Sequence, residues 1–233
     1  SSNTAARALA NVHTGFTTSD SSMDAQGRSK ALLGAEYPAP SDWQSLENSL
    51  ELKETQTATA PADPESQLDL AEAALAFAVN PNTARILAAD PATAERYSRL
   101  HFEDAHQAAL QAQELGAAGW RMDATLCLTS YYLGKLEDSA KWAELAAPSI
   151  PVGDVSWNAM AVLDIYARNK RQSIEDAIAA KKQWPPSWLG ELHNAYSILL
   201  DQPLGTGDLA LAHYDFLTKL GAAGKATASL QKA

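Results

Sequence analysis

An all-α fold built from repeated helical hairpins is predicted by three observations. The composition is helix-rich and globular, with 46% apolar and 20% charged residues in a chain of 233, drawn heavily from alanine and leucine. A short pattern recurs: a large apolar residue, then Glu, Asp and a small residue, at Phe102–Ala105, Leu136–Ser139 and Ile174–Ala177, with looser copies at Leu70–Ala73 and Leu209–Ala212. The small residues fall at 73, 105, 139, 177 and 212, giving spacings of 32, 34, 38 and 35, the period of helical-hairpin arrays. Finally, each copy leads into a helical run that meets a breaker: Asn80-Pro81, Gly116, Pro148, Pro185 and Gly221. Two of these ends share one sequence, Leu-Gly-Ala-Ala-Gly at 115–119 and 220–224, as expected where glycine ends equivalent helices in the left-handed conformation.

In chain order, residues 1–62 read as an N-terminal arm with one short helix. Ser, Thr, Ala, Asp and Pro dominate it and apolar periodicity is sparse. Ser41-Asp42-Trp43-Gln44 has the form of a capping box, and Trp43, Leu46 and Leu50 then share a helical face, so a helix is expected from about Asp42 to Lys53. The polar, proline-bearing stretch 55–64 reads as a linker. From residue 63 to 233 the pattern is continuous helix and forms the repeat domain. Asp63-Pro64 and Asp90-Pro91 place a capping acid before a proline at the first helical position, where the missing N–H costs nothing.

The stretch from Trp120 to Pro151 is the centre of the array. Leu126, Leu128, Tyr131, Tyr132 and Leu133 line one helix, Gly134-Lys135 breaks it, and Leu136, Trp142, Ala143, Leu145 and Ala146 line the next. Neither helix buries its stripe alone, so the pair must stack on neighbours. Gly134, Leu136, Ser139, Ala143, Ala146 and Pro151, in that order, resemble the tetratricopeptide repeat, and Gly207, Leu209, Ala212 and Phe216 resemble the same positions in the last unit. The resemblance covers about residues 64–220. It departs from the family at Asp123-Ala-Thr-Leu126-Cys127, where the family carries Trp-x-x-Leu-Gly, and the spacing of 38 requires an insertion near Asn169 to Gln172. The resemblance implies a right-handed TPR-like solenoid whose first helices line a partner-binding surface. Counted back from the anchors, Arg121, Tyr131, Tyr132, Asn158, Tyr166, Arg168 and Asn194 are the expected lining residues; the competing role for the tyrosines is core packing.

Charge and composition exclude several function classes. Eighteen basic against 28 acidic side chains give a net charge of −10, which repels phosphate backbones and removes nucleic acid as a partner. The longest apolar run, Ala73–Val79, is far short of the ~20 residues of a membrane span. The first residues lack the charged start and apolar core of a signal peptide, and the single cysteine, Cys127, makes no intrachain disulfide, so the compartment stays open. Between Leu126 and Leu128, Cys127 reads as a small buried hydrophobe.

No chemistry-bearing motif stands out. The Glu-Asp pairs invite an acid–base reading, but adjacent helical residues diverge, and their recurrence fits negative charge in the first turn of each second helix. His101 and His106 are five apart, off the spacing of two ligands on one helical face. No metal or cofactor is therefore expected. Gly205-Thr206-Gly207 lacks the residues of a phosphate loop and reads as a turn. Five of the six tryptophans, Trp120, Trp142, Trp157, Trp184 and Trp188, lie close together in sequence. Core packing explains most of them, and one or two suit an aromatic partner anchor. The expectation is a non-catalytic interaction scaffold or accessory subunit that binds another protein, not an enzyme. The alternative is a small-ligand binder or enzyme with a pocket near Trp184, Trp188 and His193.

Overall fold

The computed structural model describes residues 43–80, 91–202 and 207–221. Among them every regular element is a helix: α1 (Trp43–Thr59), α2 (Pro64–Val79), α3 (Pro91–Glu114), α4 (Trp120–Tyr132), α5 (Leu136–Ala146), a 3₁₀ turn (Ala147–Ser149), α6 (Trp157–Ala179), α7 (Ser187–Leu200) and α8 (Gly207–Lys219). The all-helical prediction therefore holds for the described residues. The chain divides into two compact units, one of residues 36–166, while the other takes the described residues from 167 onward, with the division falling inside α6.

In the first unit, α1 packs on α2, α2 on α3, α3 on α4 and α4 on α5, and α2 also reaches α4. The helix expected to end near Lys53 runs on to Thr59. Its threonines do not break it, because Thr55 and Thr59 donate to the Glu51 and Gln56 carbonyls at 2.9 and 2.7 Å, while buried Thr57 donates to Ser66 O at 3.1 Å. Only residues 60–63 are left as linker. Trp43 and Leu46 are half-buried and Leu50 buried, as their shared face requires. The capping box cannot be placed, since Ser41 and Asp42 lie outside the described residues, as does Asp90.

Asp63 caps α2 as expected, accepting from the Ser66 amide at 3.0 Å with Pro64 at the first position. The Ser66 hydroxyl, and after it the Ser66 amide, hold its carboxyl below the usual carboxylate range. Leu68, Ala71, Leu75 and Ala78 then form the buried stripe of α2. Facing it, Ala105, Ala109 and Ala112 give α3 a smooth small-residue face, each with no exposed surface. Ala108, Ala109 and Ala112, with Leu68, Ala71, Met122 and Leu126, make one hydrophobic cluster. The ends of α3 and α4 are glycine caps: Gly116 (φ 102°) and Gly134 (φ 74°) sit in the left-handed region, and the amides of Ala117 and Lys135 donate back to Ala112 O and Ser130 O at 2.8 and 2.9 Å.

The helix α4 is buried on nearly every side, from Met122 and Ala124 through Tyr131. Its threonine hydroxyls are satisfied locally: Thr125 donates to Arg121 O and Thr129 to Thr125 O, both at 2.8 Å. Against it, α5 lays Ser139, Ala143 and Ala146. Cys127 Sγ lies 3.7 Å from Ser139 Oγ, and burial pushes its thiol up to about 12, which confirms the inert packing role.

The repeat is less regular than its spacing suggests. The apolar-Glu-Asp-small pattern starts a helix only at Leu136, where Glu137 and Asp138 stand in the first turn. At Phe102 it lies inside the 24-residue α3, and at Ile174 inside the 23-residue α6, so the two turns expected there are absent and the segment 169–172 is helix. The reason is local: Gly134 precedes Leu136, whereas no glycine or proline precedes the other two copies. Ala105 and Ser139 are fully buried anchors, but Ala73, Ala177 and Ala212 are half-buried, and Ala71, Ala74, Ile174 and Ala210 take the core positions beside them.

In the second unit, α7 buries Leu192, Ala195, Tyr196 and Leu199 on one face and packs on α8, which buries Ala210, His213, Phe216 and Leu217. The α6 end uses Lys181 (φ 52°) where the ends of α3, α4 and α8 use glycine, with the Lys182 amide donating to Ala177 O at 2.8 Å. Helix α6 thus stops ahead of Pro185, the breaker expected from sequence. Residues 205 and 206 lie outside the described residues, and Gly207 opens α8. No helix among the described residues is long and apolar enough to cross a membrane.

Candidate functional site

Two arrangements in the first unit gather the expected lining residues, and they have different characters. The first is centred on Arg121, the second residue of α4. Helix α2 presents Glu65, Asp69 and Glu72 at the i, i+4, i+7 spacing of one face. Arg121 meets all three: Nε and Nη2 donate to the two Glu72 carboxylate oxygens at 3.0 and 2.7 Å, Nη2 donates to Asp69 at 2.9 Å, and Nη1 contacts Glu65. The bidentate grip on Glu72 is the strongest geometry open to a guanidinium. Lys53 Nζ adds a bond of 2.7 Å to Asp69 from α1.

These contacts keep the Arg121 guanidinium protonated well above its ordinary range, Glu72 contributing most. Burial pushes the Asp69 carboxyl up, but Lys53 and Arg121 together outweigh burial and hold it below the carboxylate range. Three carboxylates and two cations leave a single net negative charge. Arg121 is thus a strut tying the start of α4 to α2: Nε, Nη1 and Nη2 all donate inside the molecule.

The second arrangement is aromatic. The Tyr132 ring lies between Phe102, 4.6 Å away and parallel within 3°, and Trp157, 6.4 Å away at 24°. Tyr131 meets Tyr132 edge-on at 5.6 Å. Three helices supply this ladder: α3 gives Phe102, the end of α4 gives the tyrosines, and the start of α6 gives Trp157. Ser156 sets the last of these, accepting from the Ala159 amide at 3.3 Å and so fixing the first turn of α6. Phe102 and Tyr131 are buried, while Tyr132 and Trp157 are half-buried. Val152 and Val155, just ahead of Trp157, are exposed, the former completely.

The remaining expected residues scatter. Asn158 is half-buried beside Trp157, and Tyr166 is buried in α6 with 7% of its surface exposed. In the second unit, Arg168 is half-buried and Asn194 is exposed on α7. Tyr131, at 1% exposure, and Tyr166 are core residues; the competing role weighed for them is the one they fill. Phe102 and Trp157 were missing from the expected set. Phe102 carried the repeat pattern and read as an anchor, whereas Trp157 was marked only by its place in the tryptophan cluster. None of the six tryptophans is fully buried.

His101 and His106 do not converge. His101 lies edge-on to Phe77 with centroids 5.0 Å apart, and His106 turns into the core, its Nδ1 2.9 Å from Thr129 Oγ1. With the Thr129 hydrogen on Thr125 O, the contact is satisfied when His106 Nδ1 donates. Burial, aided by nearby Lys135 and opposed by Asp138, pushes its imidazole below the usual histidine range. Asp123, in the first turn of α4, is pushed up by burial. Comparison with protein-family models, with curated proteins and with solved structures returns no match.

Proposed function

We propose that this chain is a non-catalytic interaction scaffold or accessory subunit, with the character of a TPR-like helical-hairpin solenoid, that holds another protein against the Phe102–Tyr132–Trp157 ladder. The observation that carries the reading is the ladder itself. Two large rings from different helices stand half-buried on a rigid support, with exposed Val152 and Val155 alongside. Large, stiff aromatic groups at the rim of a packed core are the side chains that dominate protein–protein binding energy. The order of packing in the first unit, each helix mainly on its sequence neighbours, supports a stacked-hairpin architecture, which makes extended surfaces.

The test is quantitative co-purification from the native source, comparing wild type with Trp157→Ala and Tyr132→Ala. A stoichiometric companion protein is expected, and each variant should bind it about 10- to 100-fold more weakly while keeping the wild-type helical content. Arg121→Gln, which touches the strut and leaves the ladder intact, should bind within about threefold of wild type. Equal affinity of all four proteins would reject the ladder as the contact surface.

A further inference from the structure

The second unit holds a pair of histidines that the proposed function does not use. His193 Nδ1 on α7 lies 3.2 Å from His213 Nε2 on α8, with ring centroids 5.5 Å apart and planes inclined by 27°. That centroid separation is the N···N distance plus a ring radius at each end, the largest value this N···N distance allows. The two nitrogens therefore meet head to head along the line joining the rings. Two ligands converging on one metal ion at about 2.0–2.1 Å would bend that line; a head-to-head approach is the geometry of one shared hydrogen. His213 is 1% exposed, and the Tyr196 ring, stacked on it at 4.4 Å and 21°, fixes its plane.

We propose that this pair is a proton-operated latch joining α7 to α8, closed with one hydrogen between the rings and opened when both rings are cationic. In the neutral pair, one facing nitrogen carries the hydrogen and the other accepts it. A first added proton leaves that arrangement intact, because one facing nitrogen still has its lone pair. A second proton removes the last acceptor. Two N–H groups then point at each other, and two cations face each other, that of His213 on a ring 1% exposed. From α6 come Lys170 and Arg171, both buried. Arg171 Nη1 lies 3.5 Å from Tyr196 Oη, and Lys170 is matched by Glu191 of α7 at 3.0 Å while lying 5.3 Å from the Trp188 ring centre. On α8 itself, Tyr214 and Asp215 follow His213 at about 100° and 200° around the helix, so neither shares its face.

The outcome is cooperative: α8 loosens over a narrow range of acidity, when the second proton arrives. Two measurements on the full chain test this. Proton NMR titration of the five histidine rings should show His193 and His213 titrating as a coupled pair, in steps at least tenfold apart in proton concentration. Hydrogen exchange, corrected for intrinsic rate, should show protection of the α8 amides falling at least tenfold in wild type between pH 7.5 and 4.5. In His193→Gln, which keeps a neutral partner for His213, it should change less than threefold. Independent titration of the two rings, or equal acid loss of α8 protection in wild type and His193→Gln, would overturn the proposal.

Discussion

Helices α1 to α5 and helices α6 to α8 bury different kinds of polar group. In the first set the buried polar side chains are neutral: Thr57, Gln67, Asn80, His106, Thr125, Thr129, Ser130 and Ser139. Thr125 and Thr129 bond to carbonyls one turn back, and the charges of Arg121, Glu65, Asp69 and Glu72 stay at the half-exposed rim. The second set buries ionisable groups, Asp164, Lys170, Arg171 and His213. The lesson concerns what each region can respond to. A core of neutral hydroxyls and amides carries little charge for its medium to act on, while buried ionisable groups tie packing to protonation.

The largest effect should come from the difference in core packing. Ala105 has no exposed surface, whereas Ala177, its counterpart in the repeat pattern, is half-buried. Ala105→Leu should cost about 2 kcal/mol by overpacking and Ala177→Leu less than about 0.5 kcal/mol, read from urea denaturation midpoints. Similar costs would restore the two anchors to equivalent crossings.

His106 is the exception that sharpens the contrast, a titratable group in the neutral core. Its folded value lies below the unfolded 6.5, so the unfolded chain takes up the proton first and stability falls as pH drops through about 6.5. Asp69, also lowered, acts with the same sign but only in the carboxylate range, near and below its unfolded value of 3.8. His106→Asn preserves a donor to Thr129 and has no proton to gain. Its stability should vary less between pH 7 and about pH 5 than that of wild type, and a parallel pH dependence in both proteins would remove His106 as the cause.

Arg121→Gln comes next, at about 1 kcal/mol. Its three ion pairs are partly screened by solvent, but their loss leaves three carboxylates on one face of α2 without their shared counter-ion. The cost should shrink in high salt; a salt-independent cost would mean that the side chain acts through packing of its stem. The smallest effect is at the ends of α3 and α6. Lys181 occupies a left-handed position that Gly116 fills without strain, so Lys181→Gly should raise stability by about 0.5–1 kcal/mol. Gly116→Ala, where an added Cβ meets open space, should lose about 1 kcal/mol through φ alone. Thermal midpoints would show the opposite signs.

What the sequence disclosed follows the same division between local and distant causes. Asp63-Pro64, Gly116 and Gly134 were legible as helix ends because each acts through its own backbone. The stripe Trp43, Leu46, Leu50 was legible because periodicity is local too. The fate of the Phe102 and Ile174 patterns was obscured, since the same four residues can begin a helix or lie within one, and only the Gly134 upstream of Leu136 decides between them. The Arg121 strut was hidden for a different reason: its partners lie 49 to 56 residues away, and nothing in the spacing of Glu65, Asp69 and Glu72 announces which cation will meet them. The ladder was half visible. Tyr132 belonged to the expected surface, but its stacking on Phe102 and Trp157 depends on how three helices meet.

Hydrogen exchange on the complex with the co-purified partner tests the interaction reading most directly, because it maps contact without altering a residue. Slowed exchange should centre on the amides of 131–135 and 152–158, around Tyr132 and Trp157, with the α2 face carrying Glu65, Asp69 and Glu72 unchanged. Protection confined to the α2 face, with the ladder exchanging as in the free protein, would contradict the account.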